Sequence, residues 1–139
     1  ERGKELLARA EAALEEAKTE LSAVRFRLGL AVAMALAQDA NRYLDERAPW
    51  RTIREDRTET ERTLGVVLSV ISTLKTLFYP FLPFSAQKLH ELLGFDGQVR
   101  DAGWRTVPLA AGAKLPAPEA LFIKMDEDEV VQRETARLG

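Results

Sequence analysis

Apolar residues recur along the first 94 positions at the spacing of a helix face. Leu7, Ala10, Leu14, Ala17, Leu21 and Val24 are separated by 3, 4, 3, 4 and 3 residues, and Glu, Lys, Arg and Thr fill most of the gaps. That period predicts an amphipathic helix over roughly 4–24. About two and a half heptads are too few to sustain a coiled coil, so an intramolecular bundle fits the spacing better. A second helix is predicted over roughly 26–47, where Phe26, Leu30, Ala33, Met34, Ala37, Ala40 and Leu44 form one stripe. Val32 and Leu36 widen it, which suits a central place in a bundle. Pro49 stops this helix and biases Ala48 towards an extended backbone. A third helix, roughly 58–78, carries Leu64, Val67, Leu68, Ile71, Leu74 and Phe78, and Pro80 ends it. Pro83 suits the first turn of a fourth, over 83–93, with Ala86, Leu89, Leu92 and Leu93 on its apolar side. Gly94 stands where a left-handed cap would close it.

The rhythm stops after Gly94. Residues 95–118 are rich in Gly, Pro and Ala, yet Phe95, Trp104, Val107, Leu109 and Leu115 are scattered among them and need burial. The segment 95–123 is therefore expected to pack back along the bundle, with Trp104 and Phe122 as anchors. An acidic, helix-prone tail follows "LFIKMD". The fold class predicted is all-α: an antiparallel helical bundle over 1–94, then an irregular segment and a short C-terminal helix over 95–139.

Composition narrows the function. The chain is 46% hydrophobic and 30% charged, with a net charge of −2. These are the proportions of a globular domain. No run approaches the length of a membrane span and no signal-peptide pattern opens the sequence, so no membrane partner and a cytoplasmic setting are expected. The absence of cysteine excludes disulfides and thiolate metal sites. A binder of nucleic acid with this net charge must work through a few chosen residues. Arg outnumbers Lys, 14 to 6, which favours planar and stacked contacts.

Catalytic chemistry is nearly absent. The one histidine, His90, reads as a surface or half-buried helical residue, because a metal site would need several ligands at matching spacing. Glu127, Asp128 and Glu129 suit the start of a helix on dipole grounds. No Gly-rich phosphate loop opens a helix. No catalytic residue, metal ligand or cofactor is therefore assigned to the chain. The stretch "ANRYLDERAPW", Ala40 to Trp50, is different. It ends a helix at a proline and then presents an indole, with Arg51, Arg54 and Arg57 following at helical spacing. Trp50 is either a lid on the bundle or a platform on which an unstacked base is held, with arginines for phosphates nearby. Between 41 and 62 six arginines face six carboxylates, so the region is no simple basic patch.

Three segments together carry a resemblance: "ANRYLDERAPW", "YPFLPFSAQKLHELLG" and "GAKLPAPEALFIKMD". In this order and at these distances they resemble the C-terminal anticodon-binding domain of the methionyl-tRNA synthetases, a class I aminoacyl-tRNA synthetase family. The first matches an A-N-x-Y-[ILV]-[DE]-x-x-x-P-W pattern and the last a G-x-x-[IL]-x-x-P-x-x-L-F-x-[KR]-[IM]-[DE] ending. Sister synthetases for valine, leucine, isoleucine and cysteine share the bundle and, loosely, the first motif; the "LF-x-K-M-D" ending favours methionine. The resemblance implies a non-catalytic module that grips the anticodon loop of tRNA(Met) for an ATP- and magnesium-dependent methionine–tRNA ligase. It implies that Trp50 stacks on the first anticodon base, that Pro49 sets its position, and that Asn41, Arg47, Arg51 and Arg54 complete the binding set. The family's first bundle helix and the catalytic domain would precede Glu1. Partners implied are the tRNA anticodon loop and the catalytic domain of the same polypeptide. Self-association is expected where the first two helices lack a neighbour. The rival reading is a helical protein-interaction module without a nucleic-acid role.

Overall fold

The computed structural model describes residues 1–138. Its elements are α1 (Arg2–Ser22), α2 (Phe26–Arg47), α3 (Pro49–Thr52), α4 (Arg57–Phe78), α5 (Pro83–Leu92), α6 (Val99–Ala102) and α7 (Glu127–Leu138). No strand occurs among the described residues. The three long helices α1, α2 and α4 run up, down and up, and each packs on the other two. Their shared core holds Leu6 and Leu14 of α1, Val32, Leu36 and Tyr43 of α2, and Val67, Val70, Leu74 and Leu77 of α4. Ala10, Ala13, Ala17, Ala33 and Ala40 are also buried. Such small side chains let helix axes approach closely.

The apolar stripes are real, but their outer members face water. Val24, Phe26, Met34 and Leu64, counted in the stripes above, are all exposed. Val24 lies outside α1, which ends at Ser22, and Phe26 is the first residue of α2. On α4 the buried surface extends over polar residues instead: Thr60, Thr63, Ser72, Thr73, Lys75 and Thr76. Three of these take the segment after α6 as a strap. The Ser72 hydroxyl donates to the Val107 carbonyl (2.7 Å), Thr73 shares a hydrogen bond with Thr106 (2.7 Å), and Thr76 donates to the Arg105 carbonyl (3.2 Å). The Trp104 indole N–H reaches across to the Leu14 carbonyl at 2.8 Å. Trp104 is thus an anchor. Phe122 is not: it is 65% exposed. The chain beyond Val107 donates no further side-chain hydrogen bonds to α4 among the described residues, and Phe122 lines a surface hollow with Leu121, Ile123 and Val130 of α7.

His90 also departs from expectation, being almost fully buried. It lies one turn past buried Ala86 and one turn before buried Leu93, on the inner face of α5. Its Nε2 pairs with the Asp96 carbonyl at 3.0 Å. A carbonyl only accepts, so Nε2 carries the proton. The ring lies 5.1 Å from that of Phe95. The residue is part of the turn that closes α5.

Candidate nucleic-acid interface

The elbow between α2 and α4 is built from short local bonds. The Ala48 N–H closes α2 on the Leu44 carbonyl at 2.8 Å. Ala48 itself has φ 42 and ψ 60, which is left-handed rather than extended. It serves two helices at once: it is the last cap of α2 and the first of α3, and a reversal within one residue needs that region. Pro49 then occupies the first turn of α3, where its missing N–H costs nothing. Pro49 is buried, and Thr52 turns inward to share a hydrogen bond with Thr60 of α4 at 2.7 Å. Asp56 caps α4, accepting from the Glu59 N–H at 2.9 Å. Side-chain caps of this kind stabilise a helix start by about 1 kcal/mol.

These inward contacts decide what faces water. With Pro49 and Thr52 inside, residues at roughly 100° per position place Ile53, Trp50 and Arg51 in that order around the outer arc of the turn, and Arg54 follows beyond the end of α3. Ile53 keeps helical dihedrals, and its N–H bonds the Pro49 carbonyl at 3.1 Å. Trp50 is 59% and Ile53 55% exposed. A core lid would be covered, so the indole is a displayed surface.

The charges sort in the same way. Arg42 pairs with Asp39, Arg47 and Arg62 with Glu59, and Arg57 with Glu61. Glu61 raises the Arg57 pKa further, chiefly through its hydrogen bond. Arg47 lies 5.7 Å from the Tyr43 ring centre and 3.4 Å from Glu59. It ties the end of α2 to the start of α4. Arg51 and Arg54 have no ion-pair partner among the described residues, and both are exposed. The unpaired cations of the stretch are therefore the arginines one and four positions after the indole. Asn41 is exposed on α2, about 10 Å before the elbow along the axis and nearly on the same face as Ala48. The structure thus exposes Trp50 and Arg51 on α3 and Arg54 just beyond it, buries Pro49, sets Asn41 further along α2, and uses Arg47 as a tether. Ile53 is the surface residue that the sequence reading passed over. Its signal was an isoleucine three positions after the tryptophan, on a turn too short to bury both.

Among the described residues no group of three or more His, Asp or Glu side chains is placed to hold a metal ion, and no helix is long and apolar enough to cross a membrane.

Comparison with known proteins adds the family. Residues 1–138 match the family described as the anticodon binding domain of methionyl tRNA ligase. The chain is 43% identical over 134 residues to the methionine–tRNA ligase of Dehalococcoides mccartyi strain 195, covering 96% of this chain and 24% of that protein. It is 39% identical over 161 residues to the methionine–tRNA ligase of Roseiflexus sp. strain RS-1, covering 97% and 27%. Among solved structures, the free form of Mycobacterium tuberculosis methionyl-tRNA synthetase superimposes with a TM-score of 0.80 at 27% identity, over 91% of this chain and 26% of that one. The complex of a Mycobacterium tuberculosis methionyl-tRNA synthetase with methionyl-adenylate gives a TM-score of 0.77 at 29% identity, over 89% and 25%. The chain spans about a quarter of the length of the curated relatives it matches.

Proposed function

The chain belongs to the family of anticodon-binding domains of methionyl-tRNA ligases, and from that premise we propose that it holds the anticodon loop of tRNA(Met) for a methionine–tRNA ligase. The observation that carries the reading is the displayed indole of Trp50 on α3, followed one and four positions later by exposed, unpaired Arg51 and Arg54. An unstacked base laid on an indole gains roughly 1–3 kcal/mol, and an adjacent guanidinium can hold its phosphate or stack on its free face. Ile53 widens the platform, Pro49 fixes the turn, and Arg47 keeps α2 and α4 at the angle that presents it. Asn41 is placed to meet a neighbouring nucleotide along α2. In this reading the ligase works in the cytoplasm. The catalytic portion of the polypeptide binds ATP and magnesium, and this chain's residues take no part in methionine activation. The methionyl family model, rather than a valyl, leucyl, isoleucyl or cysteinyl one, supports methionine among the class I alternatives. An interaction module with no nucleic-acid role has no such support.

The test is made in the full-length ligase. Trp50→Ala is expected to lower kcat/KM for tRNA(Met) about 10-fold or more, the equivalent of ~1–3 kcal/mol of stacking. Ile53→Ser should lower it by a smaller factor in the same assay. Methionine activation and the melting midpoint should stay nearly unchanged in both. A Trp50→Ala enzyme that is destabilised yet charges tRNA normally would remove the anticodon reading of this residue.

A further inference from the structure

The bundle end opposite Trp50 carries apolar side chains that the bundle does not use. Helix α1 closes with two bonds, Arg25 N–H to the Glu20 carbonyl (2.9 Å) and Val24 N–H to the Leu21 carbonyl (3.0 Å). This is the Schellman arrangement, which holds one residue left-handed and takes glycine there by preference. Helix α5 closes in the same way, Phe95 N–H to the His90 carbonyl and Gly94 N–H to the Glu91 carbonyl, with Gly94 at φ 77. In α1 the left-handed position holds Val24, at φ 60. A β-branched residue is strained in that region. Burial within the chain does not offset the strain, because Val24 is 68% exposed.

Val24 is not alone. Phe26 (57%) and Leu28 (47%) follow on the same turn, and the α4–α5 turn adds Leu82 (43%) and Phe84 (89%). The two turns adjoin: a Cβ on Gly29 would stand 3.0 Å from Leu21 Cδ2 and 3.8 Å from Phe81 Cζ. A lone exposed apolar side chain is ordinary, but five large ones on adjoining turns mark an interaction surface. The cap lies about 30 Å from the α3 elbow, the length of the intervening helices.

We infer that this cap is the docking face for the rest of the ligase polypeptide, through a surface apolar at its centre and acidic at its rim. The inference rests on the reading of the chain as one domain of a longer ligase. The solved relative whose fold this chain shares places the same bundle within a chain about four times as long. The two ends of the bundle point away from each other, so tRNA at the elbow and protein at the cap can be held together. Apart from Glu20, which Arg25 neutralises, the charge at the cap is basic. No carboxylate occurs from Leu21 to Gln38 or from Thr63 to His90. Arg25 is paired with Glu20, whereas Arg27 is exposed without an ion pair among the described residues. A symmetric contact between two copies sets like surfaces against each other and brings Arg27 towards its own kind. A partner with carboxylates at the rim matches it.

The test compares the full-length ligase with the 139-residue chain, diluted until it sediments as a monomer. Hydroxyl-radical labelling reads Phe26, Phe84 and Trp50 in each. Phe26 and Phe84 should lose most of their labelling in the full-length protein, while Trp50 is labelled alike in both. Equal labelling of Phe26 and Phe84 in the two proteins would overturn the inference. Protection that grows with the concentration of the full-length protein would also overturn it, by making the partner a second copy. In the full-length enzyme, Phe26→Asp with Phe84→Asp should lower kcat/KM for tRNA(Met) roughly 10-fold or more. Methionine activation and helix content should be unchanged, and normal aminoacylation by this variant would count against the cap. Failure of the anticodon reading is seen separately, as Trp50 labelling that added tRNA(Met) leaves unchanged.

Discussion

At the scale of single residues, Trp50 was visible in the sequence because a proline stop and an indole form a conspicuous pair. Lys75 was not visible. It lies within the third apolar stretch, and its side chain is fully buried with no hydrogen-bond partner for Nζ. Nζ lies 4.9 Å from the centre of the Phe95 ring, over its face. A flexible four-carbon stem lets a lysine enter a core that a linear pattern assigns to water or leaves undecided. Burial pushes its pKa down to about 8. The folded state then binds the proton more weakly than the unfolded chain, so stability should rise with pH from about 8 towards the ordinary lysine value of about 10.4. Below that window the charged form is a standing cost to the fold, which the ring face offsets in part. Lys75→Met keeps the volume and removes the charge. It should raise stability at pH 7 by roughly 1–3 kcal/mol and flatten the rise at alkaline pH. Urea unfolding at pH 7 and pH 10 reads both effects. A variant less stable than the parent at pH 7 would mean that the ring and unseen partners more than compensate the burial.

At the scale of elements, the helices were legible because a 3-4 spacing of apolar residues admits few alternatives. Their edges and outer faces were not. The 3-4 rhythm carried Val24 into the first helix, whereas the backbone turns left-handed there. The signal for that turn is normally glycine, and a valine hides it. The row of Ser and Thr on α4 was passed over for a related reason. Hydroxyls read as solvent-facing until a strap such as Arg105–Val107 arrives to accept their hydrogen bonds, and that strap is remote in sequence. Val24 gives the sharper experiment. Val24→Gly removes the left-handed strain and should stabilise the 139-residue chain by about 1 kcal/mol, or roughly 3 °C in melting midpoint. The gain should shrink in the full-length ligase, where the valine side chain has a surface to cover. Thermal melts of the two backgrounds side by side would show it. A Val24→Gly chain that melts lower would mean that the valine contributes packing inside the bundle after all.

At the scale of the whole molecule, the two ends of the bundle differ in kind: an exposed indole with two unpaired arginines close to it in sequence at one, an apolar cap with an unpaired Arg27 at the other. Pattern reading pointed to the first end, since motif and elbow lie together in the chain. It could not assemble the second, because the α1–α2 and α4–α5 turns meet only in space. It placed the unpartnered surface along the stripes of the first two helices; of these Val24, Phe26 and Met34 are exposed, the first two at the cap. The 139-residue chain on its own should therefore self-associate weakly through that end. Like charges at Arg27 oppose the contact, and salt screens them; the Debye length falls from about 10 Å at 0.1 M to about 3 Å at 1 M. Association should thus strengthen as salt is added, opposite to what an ion-paired interface would do. Sedimentation velocity over a range of protein concentration, at low and high salt, reads the trend. Phe26→Asp with Phe84→Asp should hold the chain monomeric throughout, whereas Met34→Glu with Leu64→Glu should leave the association in place. If the second pair abolishes it and the first does not, the adhesive surface is the helix stripe and the cap is inert in the chain alone.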